Sequence, residues 1–387
     1  MLFLKSNPTF CSLISFFRSM LKIIPYTWVV IISTLFSCQD RQSQNAAKAQ
    51  SLPQNAETTE TNIIKPLIIT DTVQYDTDDP AVWINYQDPA QSLIIGTDKA
   101  AEGGLFVFNL DGKIMPEKTK KLQRPDNVDV EYGLQLNGKP TDIAVTTERL
   151  THKLRIYALP NMKPIDNGGI EVFAGETGEE FRALMGIALY KNKAGSIYAI
   201  VGRKSGPTNG TYLWQYLLTD DGTGHVQATL KRKFGAYSGK KEIEAIAVDD
   251  ALGYIYYSDE GTGVRKYYAD PEKGNQELAL LAGKGFREDH EGISIYQLTD
   301  STGYILVSDQ QANRFHIFTR EGSLANPHDH KLMKIVNVGT NESDGSEVVS
   351  VPLNANFKHG LFIAMSADKT FQLYRWEDIA GKELQVK

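Results

Sequence analysis

Cysteine is almost missing: the chain of 387 residues has only Cys11 and Cys38, and none beyond position 38. The long remainder therefore has no disulfide and no thiolate site, and must be stabilised by packing and by any ions it binds. Histidine is scarce, at 7, which leaves oxygen as the prevailing donor atom. There is no basic excess either. Against 47 acidic residues stand 41 lysines and arginines, a formal charge of −6. With no basic face interleaved with aromatics, nucleic acid is not an expected partner. Long apolar runs occur only near the N-terminus, and the one from Met20 to Cys38 is short for a membrane span of ~20 residues.

That N-terminal stretch, MLKIIPYTWVVIISTLFSC, has a basic start, an apolar segment of signal length and LFSC ahead of Cys38. It resembles a bacterial lipoprotein signal with lipidation at Cys38, and Met20 would make the more usual start. Residues 1–38 are thus expected to be a lipoprotein signal peptide. Residues 39–62, rich in Gln, Asn, Ala, Thr and Glu, suit a flexible linker. Residues 63–387 would form one domain, lipid-anchored at the bacterial cell envelope and exported, on the periplasmic face or the cell surface.

The remainder is built on one recurring unit. Copies read SLIIGTDKAAEGGLFVFNLDG from Ser92, DIAVTTERLTHKLRIYALP from Asp142 and SIYAIVGRKSGPTNGTYLWQYLL from Ser196. They continue with YIYYSDEGTGVRKYYADP from Tyr254, YILVSDQQANRFHIFTREG from Tyr304 and LFIAMSADKTFQLYRWEDIA from Leu361. Spacing is roughly 50 to 60 residues, slightly above the usual four-stranded propeller blade. Each copy follows another short run rich in Val, Ile and Tyr: DDPAVWIN, DNVDVEYGLQL, LMGIALYKN, EIEAIAVDD, HEGISIYQL and SEVVSVPL. Such lengths, bounded by Gly, Asn, Asp or Pro, read as strands. The fold expected is all-β, a six-bladed β-propeller. PLIITDTVQY from Pro66 supplies the missing outer strand of the last blade, so the N-terminal strand closes the ring and removes open edges.

In an up-and-down blade, the loop leading into the first strand and the loop between the second and third strands lie at the same end. The leading loops carry Asp78, Asp79, Asp126, Asn127, Asp129, Glu242, Glu244, Asp289, His290, Glu291, Glu342 and Asp344. The others carry Asp98, Lys99, Glu148, Arg149, Arg203, Lys204, Asp259, Glu260, Asp309, Gln310 and Asp368. The opposite turns, such as DDALG, TDSTG and NLDG, are hairpin sequence. Carboxylates crowded near an axis repel unless raised pKa values, paired bases or bound cations neutralise them. Oxygen ligands favour hard ions, calcium or magnesium, and several calcium ions fit best. A loaded site would attract anions, with Lys99, Arg149 and Lys204 adding phosphate contacts. Singly, Asp79 before Pro80 also reads as a turn initiator, Glu244, Asp289 and Glu291 as solvated strand ends, and His290 as pointing away from its neighbours.

DTDDPAVW, GTDK, DNVDVEYG, Glu244 before an apolar strand, LGYIYYSDE, DHEGISIY, SDQ, SDG and the terminal GLFIA…WEDIA together resemble the β-propeller phytases, calcium-dependent 3-phytases. The resemblance runs in unbroken order from about Asp71 to about Ala380. It implies a phosphomonoesterase that removes phosphate from phytate, myo-inositol hexakisphosphate, by a metal-activated water. It also implies metal ligands at Asp78, Asp79, Glu244, Glu260, Asp289, Glu291, Gln310 and Asp344. Phosphate binders would be Lys99, Arg149 and Lys204, catalytic together with Glu260. A monomer is expected. Three positions depart from the family pattern: Met185 in place of Tyr, Ser205 in place of Glu after Lys204, and Glu131 in place of Arg. Arg203, beside Lys204, is available to compensate. Two other function classes stay open, a lactonase-like calcium hydrolase and a non-catalytic propeller that binds inositol phosphates.

Overall fold

The computed structural model describes residues 62–387. The expected signal peptide, Cys38 and the linker up to residue 61 lie outside the described residues. Six antiparallel sheets follow one another along the chain, each running outward from its first strand. The innermost strands are Thr77–Trp83, Pro125–Leu136, Leu184–Lys191, Ile246–Asp249, His290–Gln297 and Ser346–Val349. This is the expected propeller.

Blade packing explains why second strands read as unbroken apolar runs instead of alternating. In Leu93–Asp98, Ile94 and Ile95 are both fully buried, on opposite faces. Ile94 packs with Ile363 and Phe371 of the sixth blade, and Ile95 with Val128 and Ala144 of the second. Each such side chain contributes about 1.5–3 kcal/mol by leaving water. A ring of sheets stacked face to face therefore needs both faces apolar.

Closure occurs where expected. Ile68–Ile69 pairs antiparallel with Thr370–Arg375, placing Ile68 opposite Leu373 as the fourth strand of the last blade. A second clasp was not expected: Ile63–Ile64 adds in parallel to Leu332–Val338, the outer strand of the fifth blade. The N-terminal segment thus ties the outer edges of two adjacent blades.

Four innermost strands carry a register shift near their start, at Thr77/Pro80, Pro125/Val128, Leu184/Ile187 and His290/Ile293. A bulge there re-aims side chains and bends the strand. Pro80 is tolerated because these strands have a free edge along the axis. Close approach of neighbouring strands requires glycine at two positions. A Cβ on Gly186 would lie 1.8 Å from the Glu244 carbonyl oxygen, and one on Gly345 would lie 2.5 Å from Asp79 Cα.

Candidate functional site

The leading loops and the loops between second and third strands do share one end, since Thr77 pairs with Asp98, which pairs with Gly104. Two groups of carboxylates form there. Oxygens of Asp78, Asp126 and Glu244 lie within 4.8 Å of one another, and so do oxygens of Glu242, Glu244 and Glu260. Glu244 belongs to both groups. The members come from blades one, two and four, so ring closure, not local sequence, brings them together. Asp126 and Glu242, recognised from sequence only as charges on this end, are full members.

The acidic residues ending the second strands have another task. In every blade that last residue holds the backbone of its own blade's leading loop. Asp98 accepts from the Tyr75 and Asp76 amides at 2.9 and 3.0 Å. Glu148 accepts from Gln123 N, Asp259 from Ser238 N and Asp309 from Arg287 N, all at 2.8–2.9 Å. Ser366 Oγ accepts from Asn341 N at 3.1 Å, and Arg203 Nη1 donates to Phe181 O at 3.2 Å. Asp98, Glu148, Arg203, Asp259 and Asp309, expected from sequence as charge at this end, are therefore spent on fixing loops.

Arg203 corrects an expectation. It is fully buried, its guanidinium 4.5 Å from the Phe173 ring centre and 3.1 Å from Glu176, with Nε donating to Tyr212 O. Enclosed by aromatics and carbonyls, it is not available to compensate for Ser205 as a phosphate contact.

The other cations stand among the carboxylates. Lys99 Nζ lies 2.7 Å from Asp78 Oδ1 and 2.5 Å from Asp344 Oδ2, and Gln310 Nε2 donates to Asp344 Oδ1. Arg149 pairs with Asp126, donates from Nε to Leu184 O at 3.0 Å, and touches the Met185 sulfur, where a family tyrosine was expected. Lys204 pairs with Glu242. Glu260, Asp289, Glu291, Gln310, Lys204 and Lys241 line a cleft of about 480 Å³ that also presents Glu180, Ser205 and Tyr237. His290 turns away, its Nε2 on Ala282 O at 2.6 Å and its ring against Phe286.

Asp79 goes elsewhere. Next to Asp78 on a bulged strand, it accepts from Val128 N at 3.1 Å and lines the axial channel with Asp129 and Glu347. Burial pushes Asp129 up to about 7, against hydrogen bonds from the Leu189 and Val130 amides, and Glu347 up to about 8. Both folded values exceed the unfolded ones of about 4. Their contribution to stability is thus complete below about pH 4 and lost as pH rises through 7 to 8. Glu347→Gln should flatten the fall in melting temperature between about pH 4 and 8 measured by calorimetry; an unchanged slope would contradict this assignment.

At the rim, burial raises Asp78, Asp126, Glu244 and Glu291, and it raises Glu260 to about 8. For Lys99, burial acts downward, but the Asp78, Glu244 and Asp344 carboxylates outweigh it and keep the ammonium protonated. Buried oxygens are left without a hydrogen-bond donor on Asp78 (Oδ2), Asp126, Glu260 and Glu291. Buried polar atoms are rarely left so, and an unpartnered carboxylate oxygen is costly. A hard cation would supply the missing partner, so the donor set fits calcium.

A model of the Phytase family matches residues 27–382. The 3-phytase of Bacillus subtilis (strain 168) is 28% identical over 321 residues, covering 78% of this chain and 80% of that protein. Among solved structures, a structural genomics protein of unknown function from Bacteroides thetaiotaomicron VPI-5482 aligns with 11% identity and TM-score 0.44, over 81% of this chain and 74% of that one. The Dos1 propeller aligns with 11% identity and TM-score 0.39, over 78% and 68%. At those scores neither structural likeness carries an argument. The family match covers nearly the whole ring together with its carboxylate rim, and the chain belongs to the phytase family of phosphoric monoester hydrolases.

Proposed function

We propose that this protein releases phosphate from phytate with calcium held at the carboxylate rim, and that the two carboxylate groups joined at Glu244 are the centre of the reaction. The observation that carries this reading is the sharing of Glu244 between two triads whose neighbours retain buried, unpartnered oxygens. Asp78, Asp126, Glu242, Glu244 and Glu260 would hold the ions, with Asp289, Glu291, Gln310 and Asp344 around them. Bound calcium would lower the pKa of water and neutralise charge growing on the phosphoryl oxygens.

The side chains have their own parts. Lys204, 40% exposed on the cleft, is placed to meet a substrate phosphate once ions take over neutralisation of Glu242. Lys99 and Arg149 are more enclosed, and their ion pairs with Asp78, Asp344 and Asp126 fix where their charge lies. Preorganised cations of this kind act where charge develops in the transition state and need little reorganisation.

Phosphate release from phytate by chelator-stripped protein, with and without added calcium, tests the reading. Release is expected only with calcium, and Glu260→Gln should lower it by about 10²-fold. Equal release without calcium would overturn the role of the metal. Lactone opening without phosphate release, or tight binding of inositol phosphates without turnover, would move the protein to one of the other two classes.

A further inference from the structure

The acidic side chains of the rim divide by what already holds them. Asp78, Asp126, Glu260 and Glu291 each keep at least one buried oxygen free of any donor. Asp289, also buried, keeps none. Lys241 Nζ lies 2.5 Å from its Oδ1 and 2.6 Å from its Oδ2, and Gln311 Nε2 donates to Oδ2 at 2.8 Å. Gln311 also accepts from the Asp289 amide at 2.9 Å, so the carboxylate is fixed on both sides. Nor does Asp289 belong to either carboxylate triad.

We propose that Lys241 is a tethered cation that takes the place of an ion at Asp289. The inference rests on the calcium reading above and concerns how many ions the rim accepts. An ammonium spanning both oxygens, with Gln311 on Oδ2, already meets most of what the Asp289 carboxylate can accept and neutralises the charge a divalent ion would need. A second positive charge brought to the same carboxylate would also be repelled at a separation of a few ångströms.

The local sequence supports a fixed role. Lys241, Glu242, Ile243 and Glu244 form the end of one leading loop. Ile243 is fully buried and anchors it, while the Tyr237 hydroxyl donates to the Lys241 carbonyl. From this short run of the fourth blade Glu242 and Glu244 join the two carboxylate groups, whereas Lys241 reaches across to Asp289 of the fifth. Its side chain is 46% exposed and lines the same cleft as Lys204. One wall of the cleft thus carries positive charge before any ion arrives. The rim should saturate with fewer ions than its number of carboxylates suggests.

Calorimetric titration of calcium into the chelator-stripped full chain tests this. Lys241→Met, or Lys241→Gln as a second neutral variant, should bind one more calcium ion per molecule than the unaltered protein. Lys241→Arg should restore the original number, and adding Asp289→Asn to Lys241→Met should remove the gained ion. Equal stoichiometry in the neutral variants and the unaltered protein would overturn the proposal, even if that protein binds calcium and hydrolyses phytate normally. Absence of both calcium binding and phosphate release in the unaltered protein would instead sink the proposed function beneath it.

Discussion

Replacing Glu244 by glutamine should reduce phosphate release from phytate by on the order of 10²–10³-fold while the ring stays folded. The size follows from position. Glu244 is the single side chain common to both carboxylate groups, and it is buried, so the loss of its charge weakens both at once. Glutamine keeps the volume, and the backbone contact with Gly186 is untouched, so the blade has no reason to rearrange. Malachite-green assays at saturating calcium, with circular dichroism as the check on folding, would measure it. Activity within a few-fold of the unaltered protein would remove Glu244 from the centre of the reaction.

Chelating calcium should lower the melting temperature by roughly 10 °C or more near neutral pH. An ion that binds only the folded state contributes about 2.7 kcal/mol at a hundredfold excess over its dissociation constant. Two ions would therefore contribute about 5 kcal/mol, and each kcal/mol moves the midpoint by about 2–4 °C in domains of somewhat smaller size. The physical reason is crowding: Asp78, Asp126 and Glu244 lie together, as do Glu242, Glu244 and Glu260, with buried oxygens of Asp78, Asp126 and Glu260 unpartnered and no disulfide to hold their loops. Differential scanning calorimetry with and without chelator reads the shift. Coincident melting curves would contradict calcium as the neutralising partner.

The architecture was legible because its signal is redundant. Runs such as SLIIG, YILVS and LFIAM recur at blade spacing, and each is buried on both faces for the same reason. Closure by Ile68–Ile69 was legible because the last blade ends one strand short. The parallel addition of Ile63–Ile64 was not, since two residues carry no pattern and their partner lies at the far end of the sequence.

At the site, the end of the molecule was legible but the division of labour was not. Strict strand alternation cannot foresee the bulges, and the bulge at Thr77/Pro80 sends Asp78 to the rim and Asp79 to the channel. Asp126, beside another bulge, joins the rim for a comparable reason. The loop-holding role at the end of each second strand does have a sequence signal, because Asp98, Glu148, Arg203, Asp259, Asp309 and Ser366 occupy one position of the repeat. Its variety of side chains hides it, as a carboxylate, a guanidinium and a hydroxyl all serve. Arg203 looked like a spare cation until its aromatic surroundings were known.

The most direct measurement is a crystal structure of the calcium-loaded protein with anomalous differences recorded to locate the ions. Two peaks should appear within bonding distance of Glu244, one shared with Asp78 and Asp126, the other with Glu242 and Glu260. Peaks found only away from this rim, or none in a crystal grown at saturating calcium, would contradict the account.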